Sequence, residues 1–203
     1  MLGICKMNKN KILWGILFFN LLYVILFGIH FFMRGNFEFV WYVFIMLAII
    51  AVFTALYLKF KFSIPTLIGL SVWGLGHMLG GSTLLTKERL YVQVLWPLFK
   101  TGELTVFSYD HLMHFYFYIV IAAVVYQIIK QDLKPKTSKL LIAAVVIFTS
   151  MGIGALNEIF EFLPVLFLNE TGVGGYFNIA WDIVFNALGA LATVIYIMFK
   201  REK

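Results

Sequence analysis

The chain has few charged residues. Of its 203 residues only 13% are charged, whereas 62% are hydrophobic and the mean hydropathy is +0.93. A soluble domain is about half apolar and about a quarter charged, so this chain has too little polar surface to cover itself in water. The composition excludes nucleic-acid-binding domains, cytosolic enzymes and disulfide scaffolds, and it predicts a multi-pass membrane protein.

Cysteine is nearly absent as well. The single cysteine, Cys5, allows neither an intrachain disulfide, nor a redox pair, nor a cysteine-rich metal site. Any metal bound by this chain must therefore take nitrogen and oxygen ligands. Internal repeats and low-complexity segments are also missing, which predicts one helical membrane domain over residues 1–203.

Long apolar runs are abundant. A helix needs about 20 apolar residues to cross a bilayer. We therefore predict an all-α bundle of six transmembrane helices, at residues 12–32, 39–58, 64–84, 109–129, 138–163 and 177–199. The first run is too long for a signal peptide and has no cleavage site, so we interpret it as a retained span. The aromatic connection 85–108 is either an interfacial or re-entrant segment or a plain outer loop.

Basic residues are distributed unevenly between the loops. Twelve of the 16 Lys and Arg residues fall at the termini and in the loops after the second and fourth runs, against four in the other loops. Because basic loops remain in the cytoplasm, both termini are predicted to be cytoplasmic. The abundance of Lys, Ile, Phe and Asn is typical of an AT-rich prokaryotic gene, so we expect the protein in a prokaryotic plasma (inner) membrane.

Ionisable and amide side chains are concentrated at one end of the last four runs. An ionisable group inside a span costs roughly 2.5–3.5 kcal/mol on insertion scales, so such groups indicate a functional site. They are His77 in the third run, Asp110, His111 and His114 in the fourth, Glu158 and Glu161 in the fifth, and Asp182 and Asn186 in the sixth. Since successive spans alternate in direction, all of them are predicted at one depth, in the outer leaflet.

Helical spacing places these acidic residues close to histidine and to one another. Asp110 and His114 are i, i+4 neighbours, and Glu158 and Glu161 are i, i+3 neighbours. Together with Asp182 they bring four carboxylates to one depth, with no Lys or Arg near them in the spans. Shared protons, a bound cation, or a metal must compensate this charge. Imidazole and carboxylate ligands suit a divalent metal such as zinc, iron or manganese.

The sixth run also carries a stripe of small and polar residues. The spacing i, i+4, i+7, i+11 joins Asp182, Asn186, Gly189 and Thr193. Small residues allow another helix to approach closely and polar residues need partners. The stripe is therefore predicted to pack against protein rather than lipid.

Structural roles compete with functional ones for several of these residues. The acidic and histidine residues that open the fourth run also suit a hydrogen-bonded helix cap. Asn186 also suits a hydrogen bond that joins two helices, and a buried histidine such as His77 is often simply hydrogen-bonded. Glu161 lies near Pro164, which is predicted to end or kink the fifth helix.

Four segments carry a resemblance to known membrane proteins: HMLGG (77–81), YDHLMHF (109–115), NEIFEF (157–162) and WDIVFNALGA (181–190). Over its last two-thirds the chain resembles the YjdF-like family of uncharacterised bacterial and archaeal inner-membrane proteins. The last three segments are also similar to the VanZ-like family, although His111 replaces a usual Lys and the stretch before Asp182 lacks a usual Arg. The resemblance implies the positions of a site and an association with the cell envelope, and it implies no reaction.

Three hypotheses about function follow. In the first, the protein is a metal-dependent hydrolase or transferase that acts on a membrane lipid or lipid-linked envelope molecule reached laterally from the bilayer. The predicted metal ligands are His77, Asp110, His111 and His114. The predicted catalytic residues are Glu158, as base, with Glu161, Asp182 and Asn186. In the second, the acids carry protons or a cation in a transporter or channel. In the third, the polar cluster has no catalytic role and stabilises helix packing or docks a partner.

Overall fold

The chain folds into α-helices, as its apolar runs predict. A computed structural model describes residues 9–97, 107–169 and 171–200. Over these residues the helices are α1 (Lys9–Met33), α2 (Phe37–Phe60), α3 (Ile64–Gly80), α4 (Tyr109–Ile129), α5 (Lys139–Phe167) and α6 (Tyr176–Phe199). All except α3 are long and apolar enough to cross a membrane. The predicted all-α membrane fold is confirmed, whereas the cytoplasmic position of the termini stays a prediction.

The third helix is shorter than predicted. It ends at Gly80 rather than at Leu84, because the backbone N–H and the hydroxyl of Ser82 both donate to the carbonyl oxygen of Leu79, at 3.0 and 2.9 Å. Its 17 residues extend over about 25 Å, less than the roughly 30 Å of a bilayer core. We call the end of the bundle at which α3 ends and α4 begins the site end.

The connection between α3 and α4 packs partly on the helices. A 3₁₀ turn at Leu90–Val92 contacts α3 and α4, and Val94 pairs with Ser108 in an isolated β-bridge. The remainder of the predicted connection, residues 98–106, lies outside the described residues.

The fifth helix is longer than predicted. It continues through Pro164 to Phe167, so this proline does not end it. Glu158 and Glu161 therefore lie within a regular helix that also packs against α4 and α6.

The fourth helix is the centre of the bundle, since it packs against α3, α5 and α6. The α6 stripe faces it: Asp182, Asn186, Gly189 and Thr193 are all buried, which confirms the prediction that this face packs on protein. A Cβ atom at Gly189 would collide with backbone atoms of Phe115 and Ile119. Thr193 Oγ1 donates to the carbonyl oxygen of Ile119 at 2.9 Å. These contacts bring α4 and α6 close enough for their polar side chains to meet.

Candidate metal centre

The side chain of His114 lies at the centre of the polar residues at the site end. Its Nε2 atom is 3.5 Å from Asp110 Oδ1, 3.7 Å from Asp182 Oδ1 and 3.9 Å from Glu161 Oε1. These carboxylates belong to α4, α6 and α5 respectively. Three helices therefore meet at one imidazole nitrogen, as their shared depth in the sequence predicts.

Asn178, in the first turn of α6, orients two of these carboxylates. Its Nδ2 atom donates to Asp110 Oδ2 at 3.2 Å and to Asp182 Oδ2 at 2.7 Å. The Oδ1 atoms of both carboxylates remain directed at His114. Asp182 is fully buried, and its Oδ1 atom has no hydrogen-bond partner among the described residues. A buried carboxylate oxygen without a partner is costly unless a proton or cation binds there.

Asn186 fixes the tautomer of the His114 imidazole, through a contact with the nitrogen that faces away from the carboxylates of Asp110 and Asp182. Its Oδ1 atom lies 3.0 Å from His114 Nδ1, and an amide oxygen only accepts hydrogen bonds. Nδ1 therefore donates, which in the neutral ring leaves the lone pair on Nε2, the atom that faces the carboxylates. A histidine that binds metal usually has its other nitrogen held in this manner. Gly154 makes room for this amide, since a Cβ atom there would lie 3.0 Å from Asn186 Nδ2.

The resulting donor set fits a divalent metal. One ligand atom each from Asp110, His114 and Asp182 lies within 4.8 Å of the others. Ligands bound about 2.0–2.1 Å from a tetrahedral ion are about 3.4 Å apart, close to the 3.5 and 3.7 Å measured from Nε2. One nitrogen and two carboxylate oxygens suit zinc, iron or manganese. The group contains Asp110 and His114, which were predicted as metal ligands, and Asp182, which was predicted as a catalytic residue.

His111 takes a different position from the one its sequence spacing suggested. It caps α4: its Nδ1 atom accepts from the backbone N–H groups of Phe107 and Ser108, at 3.0 and 3.1 Å. In the neutral ring the proton is then on Nε2, which lies 4.0 Å from Asp182 Oδ1. His111 therefore faces Asp182 with an N–H group rather than with a lone pair, and the cap alternative describes it.

His77 also lies outside the group of three ligand atoms. Its Nδ1 atom is 2.6 Å from the hydroxyl of Tyr91, and its ring packs among Phe39, Tyr42 and Trp73. Burial, and next the charge of Asp110, raise the pKa of Tyr91 well above its ordinary value, so the hydroxyl stays neutral and shares a hydrogen bond with His77 Nδ1. His77 lines the same small cavity as Glu161 without joining the metal ligands.

The two glutamates of α5 occupy opposite sides of His114. Glu161 Oε1 faces Nε2 and accepts a hydrogen bond from Asn157 at 2.7 Å. Glu158 Oε1 is 3.9 Å from Nδ1, and it has no hydrogen-bond partner among the described residues. Only Glu161 of the pair lies on the side where Asp110 and Asp182 converge.

The sequence reasoning missed an ion pair beside this cluster. Glu38, in the first turn of α2, is only 4% exposed. Its Oε2 atom accepts from Arg89 Nη1 at 2.5 Å and from the backbone N–H of Gly172 at 2.7 Å. A cavity of about 40 Å³ separates this pair from Asp110 and Glu161. The sequence did carry a signal for this pair. Glu38 lies at the start of an apolar run, on the same predicted side of the membrane as Arg89, and few basic residues are predicted on that side.

Replacing Glu38 with Ala should loosen the connection between α3 and α4, which carries Arg89, and the connection between α5 and α6, which carries Gly172. Arg89 and the amide of Gly172 then lose their common acceptor, so hydrogen exchange at Gly172 should accelerate by about tenfold, the equivalent of one hydrogen bond to a charged group. Exchange mass spectrometry of the protein in nanodiscs measures this. The exposed Glu88 provides the control, because Glu88→Ala should leave exchange at Gly172 unchanged. Equal exchange in the wild type and Glu38→Ala would contradict the anchoring role.

Sequence comparison gives the family. Residues 12–203 match a family model described as "Predicted membrane protein (DUF2238)". The chain belongs to this family. The match is consistent with the resemblance to the YjdF-like membrane proteins and confirms a membrane protein, whereas the similarity to the VanZ-like family stays a prediction. No curated protein and no solved structure matches the chain. Family membership gives no reaction, so function must be argued from the site.

Proposed function

We propose that this protein is a metal-dependent, membrane-embedded hydrolase or transferase whose substrate is a lipid or a lipid-linked envelope molecule. One observation carries the proposal: Asp110 Oδ1, Asp182 Oδ1 and His114 Nε2 converge in a buried site. Asn178 and Asn186 hold the remaining polar atoms of these three residues. An arrangement in which neighbouring amides orient the ligands is typical of metal centres.

Glu161 is the residue best placed to move a proton in such a site. A divalent metal held by Asp110, His114 and Asp182 would polarise an ester or phosphate oxygen or make a water molecule more acidic. Glu161 Oε1 lies beside the ligand atoms, lines the cavity, and is oriented by Asn157. We therefore give the role of general base to Glu161 rather than to Glu158, which faces the Nδ1 side of His114.

The surroundings of Glu161 favour a substrate that arrives from the bilayer. α2 packs mainly on α1, whereas α5 packs on α4 and α6. A small cavity lies between α2 and α5, lined by Ile45 and Met46 on one side and by Phe160 and Glu161 on the other. Phe160 is 42% exposed on the outside of the bundle, where the bilayer would contact it. A lipid headgroup would reach Glu161 along this side.

The test combines metal analysis with product detection. The wild-type protein in nanodiscs, washed with a weak chelator, should retain one divalent metal per chain by elemental analysis. Incubation with a membrane lipid extract should then give a new lipid product by mass spectrometry, which a strong chelator abolishes. A folded wild-type protein that binds no added zinc, iron or manganese would overturn the proposal.

Replacing Glu161 with Gln should keep the metal and slow product formation by about 10²- to 10⁴-fold, the usual contribution of a general base. Glu158→Gln is the matched comparison, because it removes a carboxylate from the same helix on the other side of His114. We expect a smaller loss in that variant. Equal rates in the wild type and Glu161→Gln would show that Glu161 is not the base.

Transport is a distinguishable outcome of the same experiments. In the half of the bundle away from the site end, several polar side chains satisfy one another or the backbone: Ser71 donates to Asn20, and Ser150 Oγ donates to the carbonyl of Val146 at 2.7 Å. The protons of these hydroxyl groups are therefore already engaged within the bundle. Flux of protons or metal into liposomes that Asp182→Asn abolishes, with no lipid product, would favour a transporter instead.

A further inference from the structure

An apolar groove runs along α1, α2 and α3 in the half of the bundle away from the site end. Its volume is about 280 Å³, close to the roughly 300 Å³ of the smallest ligand pockets. It is lined mainly by aliphatic and aromatic side chains, among them Leu17, Ile50 and Phe53. On α1 the lining extends from Asn10 to Tyr23, which corresponds to about 20 Å of helix.

The groove leads toward the candidate metal centre. Met46, Ile49 and Trp73 line the groove and also line the small cavity between α2 and α5. That cavity reaches Tyr42 and Glu161. One set of side chains therefore forms both the end of an apolar groove and the wall of a polar site.

We propose that this groove holds the hydrocarbon chain of the substrate lipid while the polar head of the same lipid lies at the metal centre. This inference rests on the proposed function and adds to it the class of substrate, a lipid with one long chain accommodated by the protein. An apolar groove at bilayer depth suits a hydrocarbon chain, and its continuity with the cavity beside Glu161 relates that chain to the site.

The length of the groove indicates which chains it suits. From Tyr42 beside the site to Leu58 at the far end of the groove, the lining of α2 spans seventeen residues, a rise of about 24 Å along the helix. Half of a bilayer core is about 15 Å thick. A chain with its head at the site end would have to pass the midplane to fill the groove, so long-chain lipids should be preferred.

Quenching of Trp73 fluorescence tests the occupant. Trp73 is kept as the sole tryptophan, with Phe at the other four positions, in nanodiscs of phosphatidylcholine with dibrominated acyl chains. Trp73 is only 5% exposed, so strong quenching requires a chain inside the groove. Ile49→Phe should fill the groove and thereby reduce the quenching, because the added ring takes the space that the chain would occupy.

Leu47→Phe is the matched control, because Leu47 is on the same helix, is 39% exposed and is not among the residues that line the groove. Quenching should be unchanged in that variant. Ile50→Phe, which fills the groove farther from the site, gives a second blocking variant if Ile49→Phe does not fold. The inference is overturned if the brominated lipid leaves Trp73 unquenched, which is the result expected when another protein segment or a second copy occupies the groove. It is also overturned if both blocking variants are quenched like the wild type.

A second measurement links the groove to the metal centre. The manganese-loaded protein is titrated with n-alkyl phosphates of increasing chain length at constant nanodisc concentration, so that partition into the bilayer is the same for all variants. When binding is referred to the concentration of alkyl phosphate free in water, each methylene that enters the groove should strengthen binding by up to about fourfold in the wild type and in Leu47→Phe. In Ile49→Phe the gain in affinity per methylene should end at a shorter alkyl chain than it does in the wild type. Identical chain-length dependence in all three proteins would show that the groove does not hold the chain.

The two proposals fail in different ways. Absence of metal binding overturns the proposed function while the quenching of Trp73, which needs no metal, still reports on the groove. A protein that binds metal and forms product but whose Trp73 is not quenched keeps its function and loses this inference.

Discussion

Replacing Asp182 with Asn should reduce metal affinity by more than about 100-fold, since changes at residues that only support the ligands already cost about 10- to 100-fold. The substitution preserves the shape of the side chain and keeps one acceptor for Asn178. It replaces a ligand oxygen that has no hydrogen-bond partner among the described residues. Titration of the nanodisc-embedded protein with Mn²⁺, followed by electron paramagnetic resonance, measures the affinity directly.

Two comparisons make this result specific. Asn178→Ala leaves the three ligands in place and releases only the outer oxygens of Asp110 and Asp182, so we expect an intermediate loss. Glu88→Gln, at an exposed position, should bind Mn²⁺ like the wild type. Unchanged Mn²⁺ affinity in Asp182→Asn would exclude this residue from the site.

The thermal stability of Asp182→Asn separates a metal site from a packing device. With metal present, the wild type should melt at a higher temperature than the variant, because a ligand that binds only the native state stabilises it. If the cluster instead stabilises helix packing without a metal, the variant should melt below the wild type by the same margin whether or not metal is added. A difference that appears only when metal is present belongs to a metal site.

Replacing Gly189 with Ala should give the largest loss of folding stability of the substitutions considered for this chain, about 3 kcal/mol. The added methyl group would collide with backbone atoms of Phe115 and Ile119 on α4, which cannot move aside as a flexible side chain can. α4 carries Asp110 and His114, so separation of α4 from α6 should also weaken metal binding. Unfolding in mixed detergent micelles, monitored by circular dichroism, measures the stability.

Gly152 on α5 provides the matched control for this prediction. A Cβ atom at Gly152 would meet nothing within 4 Å, and alanine is a better helix former than glycine. Gly152→Ala should therefore leave stability unchanged or raise it by up to about 1 kcal/mol. Similar stabilities for Gly189→Ala and Gly152→Ala would contradict the close approach of α4 and α6.

The sequence by itself determined the fold class, because hydrocarbon admits few backbone structures and the apolar runs are long enough to be helices that span it. The periodicity of α6 also sufficed to predict that Asp182, Asn186, Gly189 and Thr193 face protein. That the polar residues share one end of the bundle followed from the alternating direction of the helices. These are properties of single helices, which the order of residues specifies directly.

Only the tertiary structure decided which polar atoms meet. His111 and His114 are three residues apart on one helix face, yet backbone N–H groups at the start of α4 occupy His111 Nδ1, whereas Asn186 leaves His114 Nε2 free for carboxylates. His77 lies at the same end of the bundle, but its Nδ1 atom is hydrogen-bonded to the hydroxyl of Tyr91, in a connection whose path the sequence did not reveal. The pairing of Glu38 with Arg89 likewise joins residues far apart in the chain. Helical period fixes the face and depth of a side chain, while the rotation and packing of neighbouring helices determine which atoms lie within bonding distance.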